Sequence, residues 1–184
     1  TGLGRGHSAA DDVRGACALL RGLDAPPRGI LLVGYSYGAC VVADVADAID
    51  DVAAFVMISP PLGAASGLFL CRDVMRRGQT SPKPKLALMG DRDQFCTERR
   101  FTAFALAMAR PIAYHVVTDD TPAAPPCCHA HGHGHGRGCS HAQRVHHFNV
   151  YSHVSRYLLP WVAMTFGVPF AELARCAGEV DETA

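Results

Sequence analysis

Two hydrophobic patterns alternate along the chain. The first is a short unbroken apolar run, in "GILLVGYS" (29–36), "AAFVMISPP" (53–61), "KLALMGDRD" (85–93) and "IAYHVVTDD" (112–120). Runs of this length closed by turn residues predict strands covered on both faces. The second has the helical period. In "HSAADDVRGACALLRGL" the apolar positions are Val13, Ala16, Cys17, Leu20 and Leu23, with Ser8 and Asp11 as the predicted cap. "GACVVADVADAI" places Val42, Val45, Ala46 and Ile49 on one side. "TERRFTAFALAMAR" predicts a helix capped by Thr97, and "FNVYSHVSRYLLPWVAMTFG" a last helix that Pro160 is expected to kink or divide. Residues 62–84 read as an irregular or short helical excursion, and 178–184 as a frayed acidic tail.

Strand and helix thus alternate, which predicts one α/β domain over 1–184: a mostly parallel, doubly wound sheet with helices on both faces. Such sheets bind ligands at the carboxyl ends of their strands. Those ends carry Ser36, Ser59-Pro60-Pro61, Asp91 to Asp93 and Thr118 to Asp120. Residues 119–146 break the rhythm. "DDTPAAPPCCHAHGHGHGRGCSHAQRVH" has no periodicity and holds six of the ten histidines, so it reads as a low-complexity insertion.

Composition narrows the function classes. The 184 residues carry 17 basic and 17 acidic side chains, so no electrostatic attraction to nucleic acid or an anionic membrane is expected. No apolar run reaches the roughly 20 residues of a membrane helix, and no signal-peptide pattern opens the chain. Cys17, Cys40, Cys71, Cys96 and Cys176 are scattered singly, which suits reduced, mostly buried thiols and a cytoplasmic setting.

The stretch that carries chemistry is Gly34-Tyr35-Ser36-Tyr37-Gly38, between a predicted buried strand and a predicted helix. A nucleophilic serine needs a fixed backbone, a base, and donors for the oxyanion that forms. A tight strand-to-helix turn supplies the first, and the helix amino end aims its N–H groups and dipole at the same place. The Tyr37 N–H is the expected oxyanion donor. The plainer alternative is an ordinary glycine turn with an inert serine; the strand before it and the helix after it favour the nucleophile.

"LLVGYSYGACVVADVA", "FVMISPPLG", "LALMGDRDQFC" and "HHF", in that order, resemble the α/β-hydrolase superfamily, and most its small dienelactone-hydrolase-like members. There the matching phrases resemble "aGfSfGa", "iaPPlg", "HGdrDefc" and "aDHFF". "GLGRGHS" with "DDVRGACALL" also resembles that group's R-G-x-G-x-S loop and the helix after it. The resemblance covers residues 2–118 and 147–166. It implies Ser36 as nucleophile, Asp93 as the acid three residues after Gly90, and His147 of "HHF" as base. Asp91 is the runner-up acid, with turn shaping as its other reading. His146 and His153 compete for the base; His7 and His115 read as structural. Tyr35 and Pro61 are weaker candidates for lining the acyl pocket.

The resemblance implies an esterase-like serine hydrolase: acyl transfer from a small ester, thioester or similar bond to water, with no cofactor. The rival readings are a catalytically silent binding or scaffold protein of the same fold, and a serine peptidase. The resemblance also implies several strands upstream of "GLGRGHS", so the domain is expected to be truncated at its N-terminal side. Within the insertion, Cys127, Cys128, His129, His131, His133, His135, Cys139 and His141 are possible Zn²⁺, Cu or Ni donors. Their alternation matches no paired zinc motif, and adventitious affinity is the expectation.

Overall fold

The computed structural model describes residues 5–62, 71–118, 145 and 149–178. In chain order the elements are α1 (Arg5–Arg21), β1 (Ile30–Tyr35), α2 (Tyr37–Val45), β2 (Val52–Ile58), α3 (Cys71–Thr80), β3 (Lys85–Gly90), α4 (Glu98–Leu106), β4 (Ile112–Val117), α5 (Val154–Phe166) and α6 (Phe170–Gly178). Single 3₁₀ turns follow α2 at Ala46–Ala48 and precede α5 at Val150–His153. The strands pair in parallel in the order β1-β2-β3-β4.

Each strand alternates its residues between two cores. Ala54, Val56 and Ile58 of β2 join Leu86 and Leu88 of β3 on one face, with Val117, Val145, Val150 and Trp161. Phe55 and Met57 join Ala87 and Met89 on the other, with residues of α1 and α2 and Phe101 of α4. Both faces of β2 and β3 are therefore covered, which is why they read as unbroken apolar runs; β1 and β4, expected to be covered as well, lie at the sheet's edges and are only partly buried. The predicted α/β class and doubly wound arrangement stand.

Several boundaries differ from the pattern. Helix α1 begins at Arg5, so Ser8 lies inside it instead of capping it, and Asp11 pairs with Arg14 at 2.8 Å. Thr97 does cap α4, its Oγ1 accepting from the Arg100 N–H. Pro160 sits within α5 without dividing it. The excursion after β2 contains α3, which is tied to α2 by the Arg77–Asp44 ion pair and by Gly78 resting on Ala43. Helix α6 has no counterpart in the sequence reading, which passed from α5 to the tail.

Two lysines close the end of the sheet opposite the strands' carboxyl ends. Lys83 Nζ donates to the Ala46 and Ile49 carbonyls, both at 2.7 Å, placing a cation at the carboxyl end of α2 and its 3₁₀ extension. Lys85 is wholly buried, and its Nζ donates to the carbonyls of Ser81, Ala109 and Pro111. Burial lowers its pKa, while Asp47 acts in the opposite sense. Three carbonyl acceptors offset the cost of an ammonium there and join the turn before β3 to the one before β4. The strands' carboxyl ends lie at the other rim.

Candidate functional site

Parallel pairing sends every strand's carboxyl end to that rim. Ser36 follows β1 directly, and its backbone is φ 53°, ψ −120°. A non-glycine residue rarely holds this left-handed φ, and doing so costs of order 1–3 kcal/mol. The bend is enforced on both sides. The Ser36 N–H donates to the Ile58 carbonyl at 2.9 Å, continuing the β1–β2 ladder. The Ser36 carbonyl accepts from the Ala39 N–H at 3.0 Å, which begins α2. Gly34 allows strand and helix to approach this closely, since a Cβ there would lie 2.2 Å from the Gly38 carbonyl oxygen. Gly38 itself has no described neighbour within 4 Å of a Cβ position, so its lack of a side chain is not a packing need.

Tyr37 is the first residue of α2, so its N–H belongs to the helix's amino end beside Ser36. Its half-buried side chain packs against the α1/α2 core. Pro61, two residues past Ser59, is buried. Ser59 itself escaped assignment from sequence. It also has positive φ, 47°, and donates its N–H to the Leu88 carbonyl at 2.7 Å. Its side chain is wholly buried, and among the described residues its Oγ has no hydrogen-bond partner. The only cue in the sequence was its place between a buried strand and two prolines.

Asp93 lies in the turn leaving β3. Its N–H donates to the Gly90 carbonyl at 3.1 Å. Its Oδ1 accepts from the N–H groups of Phe95 at 2.8 Å and Cys96 at 3.1 Å. A carboxylate held by two backbone donors has a fixed orientation. Tyr35, beside Ser36, is 40% exposed. Its phenol is held above the usual range by partial burial first, then by the negative charge of Asp93, then by Tyr151. The end of β1, the turn after β3 and the 3₁₀ turn before α5 thus share one electrostatic neighbourhood. Cys96 adjoins it: burial, then Asp93, push its thiol up to about 11, against weaker opposite effects of the Leu62 N–H, Arg100 and the Phe101 N–H. It remains a protonated thiol near neutral pH.

The runner-up acid, Asp91, is engaged in the turn, its Oδ1 accepting from the Val145 N–H at 3.1 Å. His147 and His146 lie outside the described residues, as does the insertion with Cys127, Cys128, His129, His131, His133, His135, Cys139 and His141. Of the other histidines, His153 ends the 3₁₀ turn before α5, and His115 sits on β4 with its ring 4.9 Å from that of Tyr157. His7 falls in α1. The rim therefore unites Ser36, Tyr35 and Asp93, and Val145 brings the chain back to it two residues before His147. Among the described residues no cluster of His, Cys, Asp or Glu could hold a metal, and no helix is long and apolar enough to cross a membrane.

Comparison with protein-family profiles gives no match, and no curated protein matches the sequence. Solved structures do match. An alpha-beta serine hydrolase homologue from Coxiella burnetii is similar with a TM-score of 0.53 at 20% identity, over 64% of this chain and 51% of that one. The esterase domain of a Rhodothermus marinus protein gives 0.47 at 20% identity, over 58% and 57%. Est1E from Butyrivibrio proteoclasticus with bound ferulic acid gives 0.47 at 16% identity, over 59% and 57%. The chain spans little more than half the length of these structures. With the Coxiella structure as reference, four parallel strands and helices on both faces define an α/β-hydrolase fold.

Proposed function

We propose that the chain is a serine hydrolase acting on small esters, thioesters or similar acyl bonds. The observation that carries this reading is the Ser36 backbone: a non-glycine residue at φ 53° between the end of β1 and the amino end of α2, on the rim that also bears Asp93. A strained bend of this kind is maintained at a cost in stability, and it projects the hydroxyl away from both elements. In the proposed reaction Ser36 Oγ attacks the acyl carbon while His147 takes its proton. Asp93 holds the imidazole in the required tautomer and stabilises the imidazolium. The tetrahedral oxyanion accepts from the Tyr37 N–H at the amino end of α2. The leaving group departs with the proton from His147. Water, deprotonated by the same imidazole, then releases the acid and regenerates Ser36. Tyr35 and Pro61 border the acyl pocket. The likeness in fold to an alpha-beta serine hydrolase homologue supports this class of chemistry.

The test is labelling by a fluorophosphonate, which reacts with an activated serine and not with a resting hydroxyl. The folded wild-type chain is expected to label and Ser36→Ala to lose the label. A folded wild type that resists the probe, or a Ser36→Ala variant that keeps the label, overturns the proposal.

A further inference from the structure

Two tyrosines flank Ser36, and the sheet sends them to opposite sides. Tyr37 is half-buried and packs against the core of α1 and α2. Tyr35, the last residue of β1, stands in register with Ile58 of β2. Side chains in register on adjacent strands share a face of the sheet. Ile58 belongs to the other core, with Val117, Val150 and Trp161 of α5. Tyr35 therefore lies on the α5 side of the rim, beside the proposed nucleophile, and is 40% exposed.

A third tyrosine reaches the same side from far along the chain. The 3₁₀ turn Val150–His153 is seated by Val150, wholly buried against Ile58 and Val117, the last residues of β2 and β4. The Asn149 carbonyl closes the turn, accepting from the Ser152 Oγ at 2.7 Å and the Ser152 N–H at 3.3 Å. The Tyr151 carbonyl accepts from the Val154 N–H, where α5 begins. The Tyr151 backbone is thus fixed at the rim, while its side chain is 69% exposed. The Tyr35 phenol, raised by burial first and by Asp93 next, also feels Tyr151, as two phenols on one side of the rim should.

We propose that Tyr35 and Tyr151 form an aromatic subsite that gives the chain a preference for acyl groups ending in a planar aryl ring. The inference rests on the hydrolase reading above, because Ser36 sets where the acyl carbon must lie. Exposed rings scattered singly need no explanation, but two on one side of a nucleophile make an apolar patch that the substrate meets. A tyrosine presents a wide, rigid face and orders only two side-chain torsions on contact. Its π-system is negative on the face and positive at the edge, so an aryl ring gains by offset or edge-on packing beyond the area it buries. A saturated ring of the same size buries area alone. Tyr151 acts here through its ring and not through its hydroxyl.

Two ethyl esters of matched shape separate these terms: ethyl 3-phenylpropanoate and ethyl 3-cyclohexylpropanoate, whose carbonyls have the same alkyl surroundings. The full chain is expected to show kcat/KM about 3- to 10-fold higher for the phenyl ester, the size of an aromatic pair's extra stabilisation. Tyr151→Leu keeps apolar bulk without a ring and is expected to lose most of that preference. Tyr151→Phe keeps the ring and is expected to retain it. A wild type that turns over both esters alike overturns the inference, as does a Tyr151→Leu variant that keeps the preference or a Tyr151→Phe variant that loses it. Calorimetric titration of the Ser36→Ala chain with the same esters reads binding without turnover. Tighter binding of the phenyl ester, abolished when Tyr151→Leu is added, is expected there, and equal affinities overturn the inference. A wild type that neither takes the fluorophosphonate nor hydrolyses either ester ends the hydrolase reading by itself, and the aryl subsite is then judged by the titration alone.

Discussion

Ser36 holds a conformation that most residues avoid, and the reason is local. Its N–H is fixed by Ile58 and its carbonyl by Ala39, so the strain of φ 53° is imposed by strand and helix together. That strain resides in the Cβ. Ser36→Ala keeps the Cβ and the strain, whereas Ser36→Gly removes both. The folded Ser36→Gly chain is therefore expected to be more stable than Ser36→Ala by about 1 kcal/mol. This is a net figure, since glycine also gives back unfolded-chain entropy. Denaturant midpoints of the two variants, neither of which retains the hydroxyl, measure it. Equal midpoints, or a less stable glycine variant, would show that the strain released does not exceed the entropy cost of glycine. That Ser36 and Asp93 lie at the carboxyl ends of strands was legible from sequence, because each follows an unbroken apolar run within a few residues. The part played by Asp91 was not. Its acceptor bond to Val145 spans 54 positions, and no local pattern reports where an insertion returns.

At the scale of elements, the turn from β3 into α4 joins the acid to the core. Asp93 accepts from the Cys96 N–H, Thr97 caps α4, and the buried Cys96 thiol donates to the Thr97 carbonyl at 3.4 Å. This arrangement makes the turn sensitive to alkali. The folded thiol titrates at about 11 against an ordinary 9.0, so between these values the unfolded chain gives up its proton first. The folded state then binds more protons than the unfolded one, and stability falls as pH rises. The contribution is intact below pH 9 and is lost progressively towards pH 11, amounting to about 2–3 kcal/mol at one pKa unit per 1.36 kcal/mol. Urea unfolding at pH 8, 9, 10 and 11 is expected to show the wild type losing that much more than Cys96→Ala, a comparison that cancels the other titrating groups. Parallel pH profiles for the two proteins would refute it. The elements themselves were largely legible, since buried strands and amphipathic helices differ in period. Helix α6 was not read. It starts after Pro169 and closely follows the left-handed Gly167 at the end of α5, so the stop signal of one helix masked the start of the next.

Among the described residues the sheet has two outer edges that pair with no strand, on β1 and on β4, while β2 and β3 are bordered on both sides. On β1, Val33 is 48% exposed, and Leu19 of α1 and Leu23 just after it are 76% and 54% exposed. An unpaired edge with apolar neighbours is a template for another strand, and parallel sheets seldom leave one uncovered. Charge gives no protection, because 17 basic and 17 acidic residues balance and neighbouring copies do not repel one another. The 184-residue chain is therefore expected to self-associate through this flank as its concentration rises. A charge placed on the strand should oppose that, so Val33→Lys is expected to shift the onset of association at least several-fold higher in concentration, while leaving the fluorophosphonate reaction of Ser36 in place. Light scattering across a dilution series measures the onset. A wild-type chain that stays monomeric throughout the series would mean that the flank is covered by residues beyond those described. A Val33→Lys variant that associates as readily as wild type would move the contact to another surface, such as that of Met164 on α5, which is 79% exposed.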